Sequence, residues 1–325
     1  MHLHPELARA LALLQDLPPM DLATTPVPMI RTALARMQLP GPDVVLHAVQ
    51  DLEIARHDPA LAPLRARLYR PAAASGAPLM VYLHGGGWCL GSLESHDGLC
   101  RHLAHLSGMN VCAVDYRLAP EHRFPAALDD AWEATRWLAS QAAQLHSDPQ
   151  RLVLAGDSAG GNLAIACGLR ARDEGWQGIA AQLLLYPVCD ARMQTPSYRI
   201  FHDLPMLSAA NMAQMWRLYH PATPVHPWAS VAEHETLQGL PPTVMVAAGL
   251  DILRDEALDF AQRLEQAQVR VALIRAEGMV HGFANFSAMA PAVAALLGQA
   301  CTALEKLLPR QGLAGGETAA MGQIG

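Results

Sequence analysis

Lysine is almost missing from this chain of 325 residues: Lys306 is the only one among 23 basic residues. A phosphate-cradling P-loop and a Schiff-base mechanism each require a lysine at a fixed place, and no such motif surrounds Lys306. Basic blocks are missing too, and the net charge is −7. Nothing here has the electrostatic footprint of a nucleic-acid binder. Long apolar runs are lacking as well; no window reaches the 18 or so residues that a membrane span needs. The first residues, Met1-His2-Leu3-His4-Pro5-Glu6, carry no basic leader pattern, and Arg9 interrupts the apolar stretch that follows. The expectation is a chain without a secretory signal. Six cysteines (Cys89, Cys100, Cys112, Cys167, Cys189, Cys301) lie scattered without a C-x-x-C pair or zinc spacing. That usage suits a reducing, cytoplasmic setting better than a disulfide framework.

What is present is a core-rich chain: 51% of residues are hydrophobic and only 16% charged. Such a balance excludes intrinsic disorder, and the length suffices to bury roughly three-quarters of the unfolded surface. Helix, proline break, helix is the reading of the first 40 residues: Pro5–Leu17, Pro18-Pro19, then Thr25–Gln38. Val44–Ile54 and Leu64–Tyr69 follow as an antiparallel hairpin. Short, wholly apolar runs then alternate with helical stretches. The strands fall at 79–83, 111–114, 152–155, 182–186, 243–248 and 269–274, and the helices at 94–107, 125–146, 159–173, 255–267 and 287–307. Strands without a polar face, alternating with helices, predict a mostly parallel sheet of about eight strands covered on both sides, an α/β architecture. More than 50 residues separate the strands near 186 and 243, too many for a plain connection. Within them Ser208–Tyr219 reads as a helix rich in aromatic residues and methionine, a candidate lid. Residues 309–325 are rich in glycine and alanine and read as a flexible tail.

Chemistry concentrates at strand ends. Gly156-Asp157-Ser158-Ala159-Gly160 follows an apolar strand and opens a helix, the context of a nucleophile elbow. The turn is so sharp that the residues two before and two after the serine nearly touch, which calls for glycine at both. His84-Gly85-Gly86-Gly87-Trp88 follows the 79–83 strand. Its bare backbone N–H groups can turn toward a developing oxyanion, completed by the N–H of Ala159. Leu90 breaks any G-x-G-x-x-G register, so a dinucleotide loop is excluded. His84 reads as an orienting group. A nucleophilic serine needs a base and the base an orienting acid. Asp251 and His281 both stand at C-terminal strand ends, in the chain order acid then histidine. Asp255 and Glu256, a turn further on, read as charges at a helix N-terminus. His122 is the rival to His281, but it precedes the serine. No zinc pattern occurs, and His2 and His4 form only a two-histidine terminus.

These blocks, with Asp115-Tyr116-Arg117-Leu118-Ala119-Pro120-Glu121, Gly161-Asn162, Asp251-Ile252-Leu253-Arg254-Asp255-Glu256 and His281-Gly282-Phe283, resemble the hormone-sensitive-lipase-like esterases. These are the bacterial family IV carboxylesterases of the α/β-hydrolase superfamily. The resemblance runs from about residue 5 to 308. Ile252 stands where the family usually has proline, a mild departure that leaves the acid in place. The resemblance implies one α/β-hydrolase domain with an eight-stranded, mostly parallel sheet flanked by helices. It implies a helical cap assembled from about 1–42 and 190–235. It also implies a cytoplasmic serine carboxylesterase for short- to medium-chain acyl esters without cofactor or metal, its triad being Ser158, Asp251 and His281. The oxyanion donors would come from Gly85, Gly86 and Gly87, in a choice left open, together with Ala159. The 115–121 block would be a structural turn. Trp88, Phe201, Trp216, Tyr219 and Phe283 lie beside the motifs or in the cap and are candidates to line the substrate pocket. A homodimer through the last strand is one assembly that the resemblance allows. Other leaving groups, amide or lactone, remain open because the triad does not select them. A ligand-binding role like that of the plant gibberellin receptors, which lack the histidine, is disfavoured by His281.

Overall fold

The computed structural model describes residues 2–13, 21–36 and 40–309. The Pro18-Pro19 break, the ends of both N-terminal helices beyond Leu13 and Arg36, and the tail from 310 lie outside them. Eight strands form one sheet in the order β1-β2-β4-β3-β5-β6-β7-β8. They are β1 (Ala48–Ile54), β2 (Leu64–Arg70), β3 (Ala77–Leu83), β4 (Asn110–Val114), β5 (Ser147–Asp157), β6 (Ala181–Leu185), β7 (Thr243–Leu250) and β8 (Val271–Val280). The first two are antiparallel to their neighbours and the rest run parallel. This is the sheet that the alternating apolar runs predict. Strands β4, β6 and β7 are buried along their whole length. Strand β1, at the edge, is mostly wet.

Four helices connect these strands: α3 (Asp97–Ser107), α4 (Ala126–Gln141), α5 (Ala159–Asp173) and α8 (Arg254–Gln266); α9 (Pro291–Leu307) follows β8. Right-handed crossovers decide their faces. The chain steps from β3 outward to β4, then returns across β3 to β5 and continues toward β8. Helix α3 therefore lies on the face opposite α4 and α5. Accordingly α3 packs on α9 and α4 on α5. The direction reverses between β3 and β5, and a crevice opens there at the strands' carboxyl ends.

The N-terminal helices are α1 (Pro5–Ala12) and α2 (Val27–Arg36); the long insertion carries α6 (Pro196–Ile200) and α7 (Ala209–Tyr219). Sequence reasoning missed α6, which is only five residues long. Ser208 caps α7, its hydroxyl accepting from Asn211 N–H at 3.1 Å. Asn211 in turn accepts from Leu22 N–H at 3.0 Å, so the N-terminal segment and the insertion meet although 189 residues separate them. Other boundaries differ from expectation too: α4 ends at Gln141 and not at 146, because β5 already starts at Ser147. A 3-10 turn at Phe283–Phe286 precedes α9, which starts at Pro291, where a missing N–H costs nothing. Strand β8 runs on to Val280 through an irregularity that re-registers it against β7.

Candidate active site

Strand register builds the site. Leu250 of β7 pairs with Val280 of β8, so the next residues, Asp251 and His281, emerge side by side. Leu83 of β3 pairs with Gly156 of β5, so the glycine loop and the serine turn also emerge together. Ser158 sits between β5 and α5 at φ 54°, ψ −120°, a region L-residues avoid. Its N–H donates to Leu185 O at 2.9 Å, and its carbonyl accepts from Asn162 and Val188 at 3.1 Å each. The glycines around it are sterically obligatory. A Cβ on Gly160 would lie 1.9 Å from Leu83 O, and one on Gly156 would lie 2.4 Å from the Gly160 carbonyl carbon.

The three residues predicted to cooperate are joined. Ser158 Oγ lies 2.8 Å from His281 Nε2, and His281 Nδ1 lies 2.7 Å from Asp251 Oδ2. An ionised carboxylate only accepts, so Nδ1 carries the hydrogen and Nε2 presents its lone pair to the serine hydroxyl. Asp251 Oδ1 accepts from Leu253 N–H at 2.9 Å, which fixes the carboxylate's rotation. Tyr186 stands edge-on to the imidazole at 5.0 Å. Ser158 keeps 6% and His281 8% of their surface, while Asp251 is sealed at 1%. The rival His122 lies exposed in the turn after Pro120, its N–H donating to Leu118 O.

The choice left open among the three loop glycines narrows. Gly85 N–H donates to Asp157 Oδ1 at 2.8 Å and is engaged. Gly86 (φ 114°) and Gly87 (φ 59°) follow in backbone conformations that favour glycine. Their N–H groups and that of Ala159, at the start of α5, have no protein acceptor among the described residues. Asp157 also accepts from Tyr82 OH at 2.7 Å and faces His96 Nε2 at 3.4 Å. Burial pushes its carboxyl up, but the charge of His96 and the hydrogen bonds outweigh that and hold it below the usual carboxylate range.

His84 does orient the loop and is no base. Its Nδ1 donates to Gly85 O at 2.8 Å, and its ring stacks on Tyr116 at 4.3 Å. Burial and then the neighbouring His96 pull it down to about 4, so it stays neutral. The 115–121 block holds structure. Tyr116 OH donates to His84 O at 2.6 Å, and Arg117 forks onto the fully buried Asp130. Asp255 and Glu256 stand in the first turn of α8, as expected, and also reach outside it. Asp255 accepts from Ser197 N–H at 2.8 Å, and Glu256, buried, accepts from Cys189 N–H at 2.7 Å, tying α8 to the insertion. Burial drives the Glu256 carboxyl well above the ordinary glutamate value.

Of the five aromatic candidates, Trp88, Tyr219 and Phe283 have no exposed surface and are packed into the interior. Trp88 stacks face to face on Tyr219 at 4.2 Å, and Phe283 packs on Tyr186. Phe201 and Trp216 keep 9% and 6% of theirs. Met215, which sequence reasoning did not single out, lies over Gly87: a Cβ there would meet its sulfur at 2.1 Å. Helical spacing is the signal that could have found it, since Met212, Met215, Trp216 and Tyr219 share the buried face of α7. No cluster of three potential metal ligands occurs among the described residues, and none of their helices is long and apolar enough to cross a membrane.

A parallel sheet of this order, carrying Ser158, Asp251 and His281 just past the carboxyl ends of β5, β7 and β8, defines a serine hydrolase scaffold of the α/β-hydrolase type. A family profile described as the α/β hydrolase fold matches residues 80–285. Carboxylesterase NlhH of Mycobacterium tuberculosis is 36% identical over 313 residues, spanning 94% of this chain and 97% of that protein. Ethyl acetate hydrolase of Pseudomonas putida is 41% identical over 246 residues, 72% of this chain and 75% of that one. Among solved structures, a hyperthermophilic esterase from the archaeon Pyrobaculum calidifontis superimposes with a TM-score of 0.84 at 35% identity, covering 94% and 99%. The chain belongs to the α/β hydrolase fold family, within its hormone-sensitive-lipase-like branch of carboxylic ester hydrolases.

Proposed function

We propose that the protein is a serine carboxylesterase that cleaves short- to medium-chain acyl esters through an acyl-enzyme on Ser158. The observation that carries this reading is the unbroken relay from Ser158 Oγ through His281 to Asp251. His281 Nε2 takes the hydroxyl proton as Oγ attacks the ester carbonyl. Asp251 stabilises the imidazolium and keeps its tautomer. Gly86, Gly87 and Ala159 N–H groups receive the oxyanion, each such donor being worth about 3 kcal/mol in the transition state. The tetrahedral intermediate collapses when His281 returns the proton to the leaving alkoxide. Water, deprotonated by the same histidine, then releases the acid and restores Ser158.

The N-terminal helices and the insertion form the cap in this reading, consistent with the bond between Leu22 and Asn211. The restricted exposure of Ser158, Phe201 and Trp216 favours small acyl groups over long chains. A series of p-nitrophenyl esters from C2 to C12 tests the whole assignment. Turnover should be greatest at the short end and should fall about a millionfold in Ser158→Ala. Retained activity in that variant would refute the acyl-enzyme, and faster hydrolysis of amide or lactone substrates would replace the ester reading.

A further inference from the structure

The glycine loop is anchored at its far end by a residue from the other side of the sequence. Arg31, on α2, donates from Nε to Cys89 O at 2.7 Å and from Nη2 to Ala119 O at 2.7 Å. Its two terminal nitrogens also fork onto the Glu121 carboxylate at 2.9 Å each. Ala119 N–H in turn donates to Trp88 O at 2.9 Å. The carbonyls of Trp88 and Cys89 are thus both held, one through the 115–121 turn and one by Arg31 itself.

Cys89 passes this constraint back to the glycines. Leu90 N–H, on the peptide plane of the Cys89 carbonyl, donates to Gly86 O at 2.8 Å, and Cys89 adds its own N–H to Gly86 O at 3.2 Å and its thiol to Gly87 O at 2.9 Å. A peptide group is planar, so holding the Gly86 carbonyl fixes the direction of the Gly87 N–H on the same plane. The Gly86 N–H is fixed in the same manner from the other end, because His84 Nδ1 holds Gly85 O. Burial pushes the Cys89 thiol up to about 12, so it stays protonated and able to donate.

We propose that Arg31 is a positioning residue for the oxyanion hole: by holding Cys89 from the N-terminal helix, it aims the Gly87 N–H at the reacting carbonyl. The inference rests on the esterase reading above. The ion pair with Glu121 is half-exposed and worth little by itself. The two bonds to backbone carbonyls are what set the loop. Arg31 has the planar fork that serves three acceptors at once, and lysine lacks it.

The test compares the full-length wild type with Arg31→Ala, Arg31→Lys and Glu121→Ala on p-nitrophenyl butyrate. An alkyl trifluoromethyl ketone, which adds Ser158 to form a tetrahedral oxyanion, serves as a second probe. A donor displaced by about 1 Å is expected to lower kcat about 10- to 100-fold with KM within about threefold. The ketone's Ki should rise by the same factor in both Arg31 variants, while Glu121→Ala keeps wild-type kcat. Arg31→Lys keeps the charge and supplies the reading if Arg31→Ala does not fold. Wild-type kcat in Arg31→Lys overturns the proposal, as does a kcat loss with unchanged ketone Ki, or an equal loss in Glu121→Ala. A wild type that hydrolyses no ester overturns the esterase reading, and this inference with it.

Discussion

The serine turn and the glycine loop lie side by side, but they reach their shapes by opposite routes. The turn at 156–160 is closed by sterics, Gly156 against Gly160 and Gly160 against the backbone of Leu83 and His84 at the end of β3, with no room for a Cβ at either. The loop at 84–90 has bonds of its own, from His84, Cys89 and Leu90 onto the glycine carbonyls, but its placement also depends on other elements. It is held by Asp157 from β5, Tyr116 from the turn, Arg31 from α2 and the stack of Trp88 on Tyr219 from α7. In the proposed function the serine has to be strained, which close backbone contact enforces. The glycine N–H groups have to be aimed, and aiming needs fixed points outside the segment.

Substitutions can break this contrast. The largest effect belongs to Gly160→Ala. Its methyl would strike the backbone oxygens of Leu83 and His84, which cannot swing aside. A loss of about 3 kcal/mol or more is expected, read by urea unfolding, with almost no folded enzyme at 37 °C. Wild-type stability there would mean that the turn is not wedged against β3.

Gly87→Ala should cost less, because its neighbour is the end of a flexible side chain, Met215, although φ 59° adds about 1–2 kcal/mol of strain. Turnover is expected to fall about tenfold, and Met215→Ala in the same chain should recover part of the stability. A double-mutant cycle should give a coupling of about 1 kcal/mol between the two positions. Zero coupling would remove α7 from the loop's supports.

The smallest effect concerns Glu256. A carboxyl raised above its unfolded value is protonated in the folded chain, so its contribution to stability is full below the ordinary glutamate range. That contribution is lost as pH rises toward the folded value. Glu256→Gln keeps an acceptor for Cys189 and Asp190 N–H but cannot ionise. Its melting temperature should therefore gain on the wild type between pH 5 and pH 9, by about 2 °C. A gap that does not change with pH would place the carboxyl in an ionised state throughout.

Much of this was legible in the chain. The apolar runs mark the buried strands of the sheet because a parallel strand covered on both faces has no polar side. Ser158, Asp251 and His281 are readable from strand ends and order. Other features left no local trace. Gly85 looks like its two neighbours until Asp157 engages its N–H. Asp157 could have been suspected, since a carboxylate beside a buried nucleophile must find donors. Arg31 could not, because its partners lie 58 to 90 residues away.

By itself the sequence determined the α/β sheet, the glycine-flanked serine turn and the strand-end positions of Ser158, Asp251 and His281. Those depend on periodicity and on spacing along the chain. Only the tertiary structure decided which glycine N–H groups are free, which aromatic rings are sealed in the interior, and what holds the loop. Hydrogen-bond partners at long sequence separation are chosen by register and packing, such as Leu250 beside Val280 and α2 against the 86–90 turn.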